Sequence, residues 1–449
     1  MTPLALADFW DMAWADRERR LLDGILAVHA RHYQTNLAYR RVVSARGVGP
    51  EAKPEDLPRL LRLTSQTFKS YIEVLGTPFP QDDPRGFIDW LATQLSVELP
   101  RDRLKGLAKR YRSLEAMLSA IERACSHLGL EILTSSGTSG RASIIVRDRQ
   151  STDLTVESFY LAFQRYLGMK AEHRAIFMMP RRTRIAMARM AQFSVRRVGL
   201  PPERVHFAIP FPAQPDQVRI RSGRTFRSGL RGWLERRVWH PAMNFIQAQV
   251  VDPHAVRFAL RLLRRASTCG EKVLLFGSLA QVHAVAQALL ERGESITLAP
   301  GSLLGTGGGA KDLGGLDLQR IREDLRRTFR LADGAEVPVR DVYGMAEANW
   351  AAMQCACGNY HIPPWVLAAT VDDDGALQTG PATTGLLAFF DPYGGGDLFP
   401  AFFRTADRVT LVRGYGEATC DCGDAGAYIT CGSIQRVDLL EEAGCAAQL

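Results

Sequence analysis

From Leu133 onward the chain alternates short apolar runs with turns rich in glycine and hydroxyl groups. Leu128–Leu133, interrupted by Glu131, and Ile144-Ile145-Val146 flank the polar stretch Thr134–Gly140, which predicts strand, loop, strand. Ala175–Pro180, Arg204–Pro210, Lys272–Gly277, Ser295–Leu298, Val337–Tyr343 and Gly385–Pro392 read as further strands. Leu279–Arg292 predicts a helix stopped by Gly293, and Ile321–Leu331 predicts a basic helix. Phe402–Val412 reads as strand, sharp turn, strand. Upstream, Phe9, Met12, Leu21, Leu22, Ile25, Leu26 and Val28 recur near helical spacing. Residues 1–125 are therefore expected to be mostly helical, with a Gly/Pro break at Gly47–Pro54 and helix again at Leu104–Leu128. The expected organisation is a helical part (1–125), an α/β core with helices packed on layered sheets (126–412) and a short C-terminal segment (413–449).

With 449 residues, 46% of them hydrophobic and 23% charged, the chain can bury a large core. Lys+Arg exceeds Asp+Glu by 56 to 48, and much of the excess lies between Arg174 and Arg237. The arginines within Ile185–Met190 sit among Met and Ala without interleaved aromatics. That favours a solvated face, or a docking surface for an acidic partner or substrate, over a nucleic-acid groove. The sequence has no apolar run of about 18 residues, so no membrane span is expected. Asp8, Asp11, Asp16 and Glu18 near the start argue against a signal peptide, and a cytoplasmic protein is expected.

Several loops carry candidate chemistry. Ser135-Ser136-Gly137-Thr138-Ser139-Gly140 suits a nucleoside triphosphate: glycine lets the backbone approach, turned N–H groups line an anion, and hydroxyls donate to phosphate oxygens. It lacks the lysine of the G-x-x-x-x-G-K-[ST] loop. Tyr343-Gly344-Met345-Ala346-Glu347 ends a strand with a stacking ring, an open backbone and a carboxylate suited to Mg²⁺. Gly307-Gly308-Gly309 suits the plane of a ring, with Lys311 near a phosphate or carboxylate. Asp407 is suited to a ribose diol. Each has a plain alternative: a flexible turn, a surface Glu, a simple loop, a hairpin Asp satisfying its own turn. Cys355-Ala356-Cys357 and Cys420-Asp421-Cys422, each followed by glycine, offer two thiolate pairs for a tetrahedral zinc site. Cys431 or His361 could replace one ligand, and four free thiols are the alternative.

In order and spacing these loops resemble the adenylate-forming superfamily. The chain is similar to the acyl-protein synthetase family of the bacterial luminescence fatty-acid reductase, and to phenylacetate–CoA ligases. The supporting residues are Asn36-Leu37-Ala38-Tyr39, Phe68-Lys69, Ser135–Gly140, Gly307–Lys311, Asp341–Glu347 and His361-Ile362-Pro363-Pro364-Trp365. The resemblance implies an α/β adenylate-forming, acyl-CoA synthetase-like large domain that uses ATP and Mg²⁺. A fatty or aryl carboxylate would attack the α-phosphorus, and the acyl group would pass to a thiol. That thiol would belong to an acyl-acceptor protein or reductase, or alternatively to CoA; a non-catalytic nucleotide-binding scaffold is the third expectation.

By this resemblance Ser135, Ser136, Gly137, Thr138, Ser139 and Gly140 hold the phosphates. Gly307, Gly308 and Tyr343, with Gly344 and Met345 beside them, frame the adenine. Glu347 binds Mg²⁺, Asp407 holds the ribose and Arg436 meets the nucleotide. Ala406 and Gln435 stand where the family has glycine. Lys311 is the last lysine of the chain, so the superfamily's C-terminal catalytic lysine has no counterpart. A remodelled C-terminal segment is expected, with Lys311 or an arginine in that role. Phenylacetate–CoA ligase relatives share a Cys-x-Cys-Gly after the Arg-Thr-x-Asp stretch, which supports zinc. Cys445 would take the acyl group as a thioester, and an inert terminal cysteine is the alternative.

Overall fold

The computed structural model describes residues 5–135, 141–308, 317–414 and 419–437. In chain order the strands are β1 (Arg62–Leu63), β2 (Glu131–Thr134), β3 (Ile144–Arg147), β4 (Arg174–Pro180), β5 (Val205–Ile209), β6 (Val273–Gly277), β7 (Ile296–Leu298), β8 (Leu303–Gly307) and β9 (Phe329–Leu331). They continue with β10 (Val339–Gly344), β11 (Ala351–Gln354), β12 (Tyr360–His361), β13 (Leu367–Val371), β14 (Ala382–Asp391), β15 (Ala401–Val412), β16 (Tyr428–Ile429) and β17 (Gln435–Arg436). Thirteen of these form one mixed sheet. Its parallel half runs β5-β4-β6-β8-β10, and its antiparallel half continues β11-β12-β16-β15-β14-β13. β1 and β17 both pair with β15, so a strand from the N-terminal stretch joins the sheet beside the late strands.

The sheet is covered on both faces. In β4, Ala175 and Phe177 point into one core while Ile176 and Met178 point into the other; in β6, Leu274 and Phe276 oppose Val273 and Leu275. Such two-sided burial is why these strands read as unbroken apolar runs. The helix Asp252–Cys269 and the helix Leu279–Leu290 cover one face. On the late strands, Ala388, Phe390 and Phe402 pack against Ile25, Tyr39 and Val43 from the N-terminal helices.

Two of the N-terminal motif residues are structural. Asn36 Oδ1 accepts from the Tyr39 N–H at 2.9 Å and so caps the helix Leu37–Ala45. Its amide donates to the Gln94 carbonyl at 2.7 Å. Phe68 packs edge-on against Phe399, with ring centroids 5.7 Å apart.

Two expectations change. The helix expected over Ile321–Leu331 spans Leu318–Thr328, and Phe329–Leu331 instead forms β9, paired with β7 outside the main sheet. Phe329 and Leu331 are buried while Arg330 is exposed, a strand alternation that wins over the helical phase. Phe402–Val412 contains no turn. It belongs to the single strand β15, whose register jumps from Arg404 opposite Ala388 to Arg408 opposite Leu386. Thr405–Asp407 is therefore a bulge, which rotates side chains as a turn would without ending the strand.

Beyond the core, the helix Pro215–Ser222 is followed by a continuous helical path from Gly229 to Cys269. Two wide π turns, Glu235–Trp239 and Gln247–Val251, interrupt it. Each precedes a proline, Pro241 or Pro253. A proline lacks an N–H and crowds the carbonyl four residues back, and a wide turn relieves both problems without ending the helix.

Candidate active site

β2 and β3 pair antiparallel from Glu131 opposite Arg147 to Thr134 opposite Ile144. Ser135 extends this pairing: its N–H donates to the Ser143 carbonyl at 3.1 Å, and its Oγ accepts from the Ser143 N–H at 2.9 Å. Ser143, in turn, donates its hydroxyl to Glu347 Oε1. The loop stem and the carboxylate are thus in direct contact across 204 positions of sequence. Ser136, Gly137, Thr138, Ser139, Gly140, Lys311 and Cys445 lie outside the described residues.

Buried Arg147 holds the backbone on either side of Glu347. Its Nε donates to Asn349 Oδ1 at 2.7 Å, and its Nη2 donates to the carbonyls of Ala348 at 3.1 Å and Ala346 at 3.5 Å. Burial lowers the Arg147 guanidinium to about 10, still cationic at neutral pH. The turn itself closes through the Ala348 N–H to the Met345 carbonyl at 3.2 Å. Gly344 keeps the strand end narrow, because a Cβ there would lie 3.2 Å from the Met187 methyl.

A second contact joins the other predicted nucleotide residues. The Tyr343 hydroxyl donates to Asp407 Oδ2 at 2.8 Å. Burial, reinforced by the Asp407 charge, pushes that phenol well above its ordinary value, so it remains a donor. Asp407 sits in the β15 bulge, where its N–H donates to Thr405 Oγ1 at 3.1 Å, and Arg436 lies opposite it across the β15–β17 pair. On the other side of Tyr343, Gly307 pairs with Val342. Gly308 has φ of +93°, which glycine adopts without strain. These positions gather at the carboxyl ends of parallel strands β8 and β10, where open α/β sheets bind ligands.

The structure therefore brings together Ser135, Gly307, Gly308, Tyr343, Gly344, Met345, Glu347, Asp407 and Arg436. It also adds Ser143, Arg147, Asn349 and Tyr360, which sequence reasoning missed. The Tyr360 hydroxyl donates to Asp341 at 2.9 Å, and Asp341 accepts from Thr306 at 2.6 Å, tying β8, β10 and β12 together. The available signal was a lone polar residue at each edge of the apolar run Ile144–Val146: Ser143 before it and Arg147 after it, both buried.

A family model described as acyl-protein synthetase, LuxE, matches residues 244–449. Over those residues the chain is similar to that family. One relative, the long-chain-fatty-acid–luciferin-component ligase of Aliivibrio fischeri, is 27% identical over 146 residues, covering 32% of this chain and 36% of that protein. The chain thus matches about a third of that relative's length. Among solved structures the chain is similar to 2-hydroxyisobutyryl-CoA ligase in complex with 2-HIB-AMP and CoA. The TM-score is 0.55 at 13% identity, over 95% of this chain and 69% of the ligase. An open conformation of the same ligase gives 0.54 at 14% identity, over 93% and 69%. At such identity the likeness shows the fold, which is that of the adenylate-forming ligases.

Within residues 244–449 lies a second cluster. Cys355, His361, Cys420 and Cys422 place one ligand atom each within 4.8 Å of one another. Cys357, expected as a ligand, is exposed and outside this group, and His361 from β12 takes the fourth place. In the first C-x-C turn only Cys355 joins the cluster, whereas in the second both Cys420 and Cys422 do; the Gly358 N–H donates to the Cys355 carbonyl at 3.1 Å, with Gly358 at φ +87°. Cys420 and Gly423 repeat this turn at 2.8 Å and φ +86°.

Cys355 and Cys420 sulfurs are 3.8 Å apart, and Cys422 Sγ is 3.3 Å from His361 Nε2. A tetrahedral zinc with Zn–S near 2.3 Å has S···S edges of about 3.8 Å. His361 Nδ1 is buried without a hydrogen bond and points toward Asp424 Oδ1 at 3.8 Å. Asp424 is held by Arg165 at 2.8 Å and by the Tyr166 hydroxyl at 2.9 Å. Burial, reinforced by the adjacent thiols, pushes the Cys422 thiol up to about 12, an electrostatic cost that a cation among the sulfurs would remove.

Proposed function

We propose that the chain activates a carboxylic acid with ATP and Mg²⁺ and passes the acyl group to a thiol. The observation that carries this is the joining of sequence-remote groups by Ser143–Glu347 and Tyr343–Asp407 at the carboxyl ends of β8 and β10. Ser135 to Gly140 would face the phosphates. Gly307, Gly308 and Tyr343, beside Gly344 and Met345, would flank the adenine, and Asp407 with Arg436 opposite would meet the ribose side. Glu347 would hold Mg²⁺, which supplies positive charge against the phosphate oxygens. The chain's own work is alignment. Arg147 and Ser143 fix Glu347 before substrate arrives, so no reorganisation is needed as pyrophosphate leaves. The acyl group then moves from the adenylate to sulfur: the C–S bond forms, the C–O bond to AMP breaks, and the thiol proton is lost.

The A. fischeri relative's name favours a long-chain fatty acid as substrate, and the proposed acceptor is a protein thiol, with Cys445 as the first. Pyrophosphate release should depend on a fatty acid, and Glu347→Ala should lower it by about 10²–10³-fold. An acyl adduct on Cys445, seen by mass spectrometry, supports the protein acceptor. Acyl-CoA formed by the Cys445→Ser protein would favour the CoA-ligase alternative instead. No acid-dependent pyrophosphate release with either fatty or aryl acids would leave only a nucleotide-binding scaffold.

A structural zinc on Cys355, His361, Cys420 and Cys422 belongs to the same proposal. Its donor set is complete, so the ion would be closed to substrate and would pin the late strands to β11. Purified protein should carry about one zinc per chain. A strong chelator should lower its melting temperature, and added zinc should restore it.

A further inference from the structure

The helical path from Gly229 to Val251 leaves many of its large apolar residues uncovered. Leu230 is 75% exposed, Trp233 55%, Trp239 54% and Phe245 65%, and Ile246 and Val250 are also exposed. Between Gln217 and Val251 the chain carries seven arginines and one acidic residue, Glu235, which Arg219 neutralises at 2.8 Å. Exposed Arg231, Arg236 and Arg237 fall between the two tryptophans or directly beside them. Arg236 also lines an open cleft of about 610 Å³ together with Gly223, Arg224, Thr225, Phe226 and His240.

We infer that this arm docks on the surface of an anionic phospholipid bilayer. Trp and Phe settle among headgroups, where one side of the ring is apolar and the other wet, while arginines meet lipid phosphates. A protein-docking face concentrates its apolar residues in an uncharged centre. Here the charges are interleaved with the aromatics, which fits a headgroup layer. The cleft has the size and sign for one phosphate-bearing headgroup.

The arm's root is rigidly attached. Asp216 accepts from the Leu114 N–H at 2.8 Å, and Arg227 pairs with Asp82 at 2.6 Å. Asp216 and Arg219 also share a small cavity with Tyr71 and Ala142, next to the stem of the Ser/Gly loop. Docking would therefore hold the active-site mouth near the bilayer. The inference itself does not depend on acid activation, because vesicle binding is measured without ATP or acid.

The test is sedimentation of the full chain with phosphatidylglycerol–phosphatidylcholine vesicles and with pure phosphatidylcholine vesicles. The protein should pellet with the anionic vesicles only, and binding should weaken as salt rises. Arg236→Glu with Arg237→Glu, and separately Trp233→Glu with Trp239→Glu, should each reduce partitioning by about tenfold or more. All four side chains are exposed, so circular dichroism and melting temperature should match the parent. No binding to anionic vesicles, or equal binding to both compositions, overturns the inference. So does a concentration-dependent self-association, or a stable complex with an acidic protein, that is abolished by the same substitutions while vesicles are ignored.

Discussion

Strand β11 runs between two polar turns, and the two are balanced in opposite ways. At its start, the turn Met345–Asn349 presents Glu347. Arg147, Asn349 and Ser143 satisfy that turn from within the chain. At its end, the turn Cys355–Gly358 presents a buried sulfur to two more sulfurs and an imidazole. The backbone of that turn is well hydrogen-bonded, but its sulfurs receive only weak donors, such as Asn359 Nδ2 to Cys420 Sγ at 3.4 Å. The first turn is completed by a buried cation that is part of the protein. The second has the donors for a cation, and among the described residues no side chain supplies one. Four residues of strand separate them, so their responses to substitution and to chelation are the way to tell the two kinds of order apart.

The largest effect is expected at the first turn. Arg147→Met keeps the side-chain volume, removes the Arg147 donors to the Ala346 and Ala348 carbonyls, and leaves Asn349 Oδ1 only the Thr155 hydroxyl at 3.3 Å. Buried acceptors left unpaired cost about 1–3 kcal/mol each, so a loss of about 3 kcal/mol in urea unfolding is expected. Pyrophosphate release should fall with it, because Glu347 loses its backbone anchor. Zinc content should stay the same. A variant as stable as the parent, or one that loses its metal, would break the contrast.

The same buried neighbourhood has a pH signature. Burial pushes the Asp391 carboxyl up to about 6, against the pull of the Gly394 and Tyr393 N–H groups and Arg147. A carboxyl raised in the fold stabilises it while protonated. That contribution is complete below the unfolded value near 4 and is lost as pH rises through about 6. Parent protein should therefore lose about 2 kcal/mol from this group between pH 4 and 6 relative to Asp391→Asn. Stability curves of the two proteins that run parallel across that range would show that Asp391 does not titrate there.

Much of this arrangement was legible before any coordinates. The apolar runs of β4, β6 and β10 announce themselves because both faces are buried, and the glycine and hydroxyl turns stand out between them. The Tyr343–Asp407 and Glu347 positions followed from motif order. What stayed hidden depends on register or on burial. The Thr405–Asp407 bulge has the composition of a turn, and only the partner strand reveals that the chain runs on. Ser143 and Arg147 look like ordinary flanking residues until the hairpin folds them under Glu347. Cys357 looks equivalent to Cys355, since spacing alone does not say which sulfur a turn carries inward. Pro241 and Pro253 stand inside the helical path, and π turns let it continue through both.

The smallest expected effects are at the second turn, and they decide which four ligands belong to it. Cys357→Ser should leave zinc stoichiometry and chelator competition unchanged, because that sulfur is exposed and outside the cluster. Cys422→Ser should weaken retention of the metal although Cys422 is itself exposed, because its sulfur is one of the four converging atoms. Asp424→Asn touches no ligand atom of the metal. It removes the charge behind His361 Nδ1, and such second-layer changes cost about tenfold or more in metal affinity. Chelator titration of the three variants beside the parent gives the order: Cys357→Ser equal to the parent, Asp424→Asn weaker, Cys422→Ser weakest. If Cys357→Ser proved the weakest, the turn would carry both of its sulfurs inward, and His361 would be a neighbour of the ion instead of its ligand.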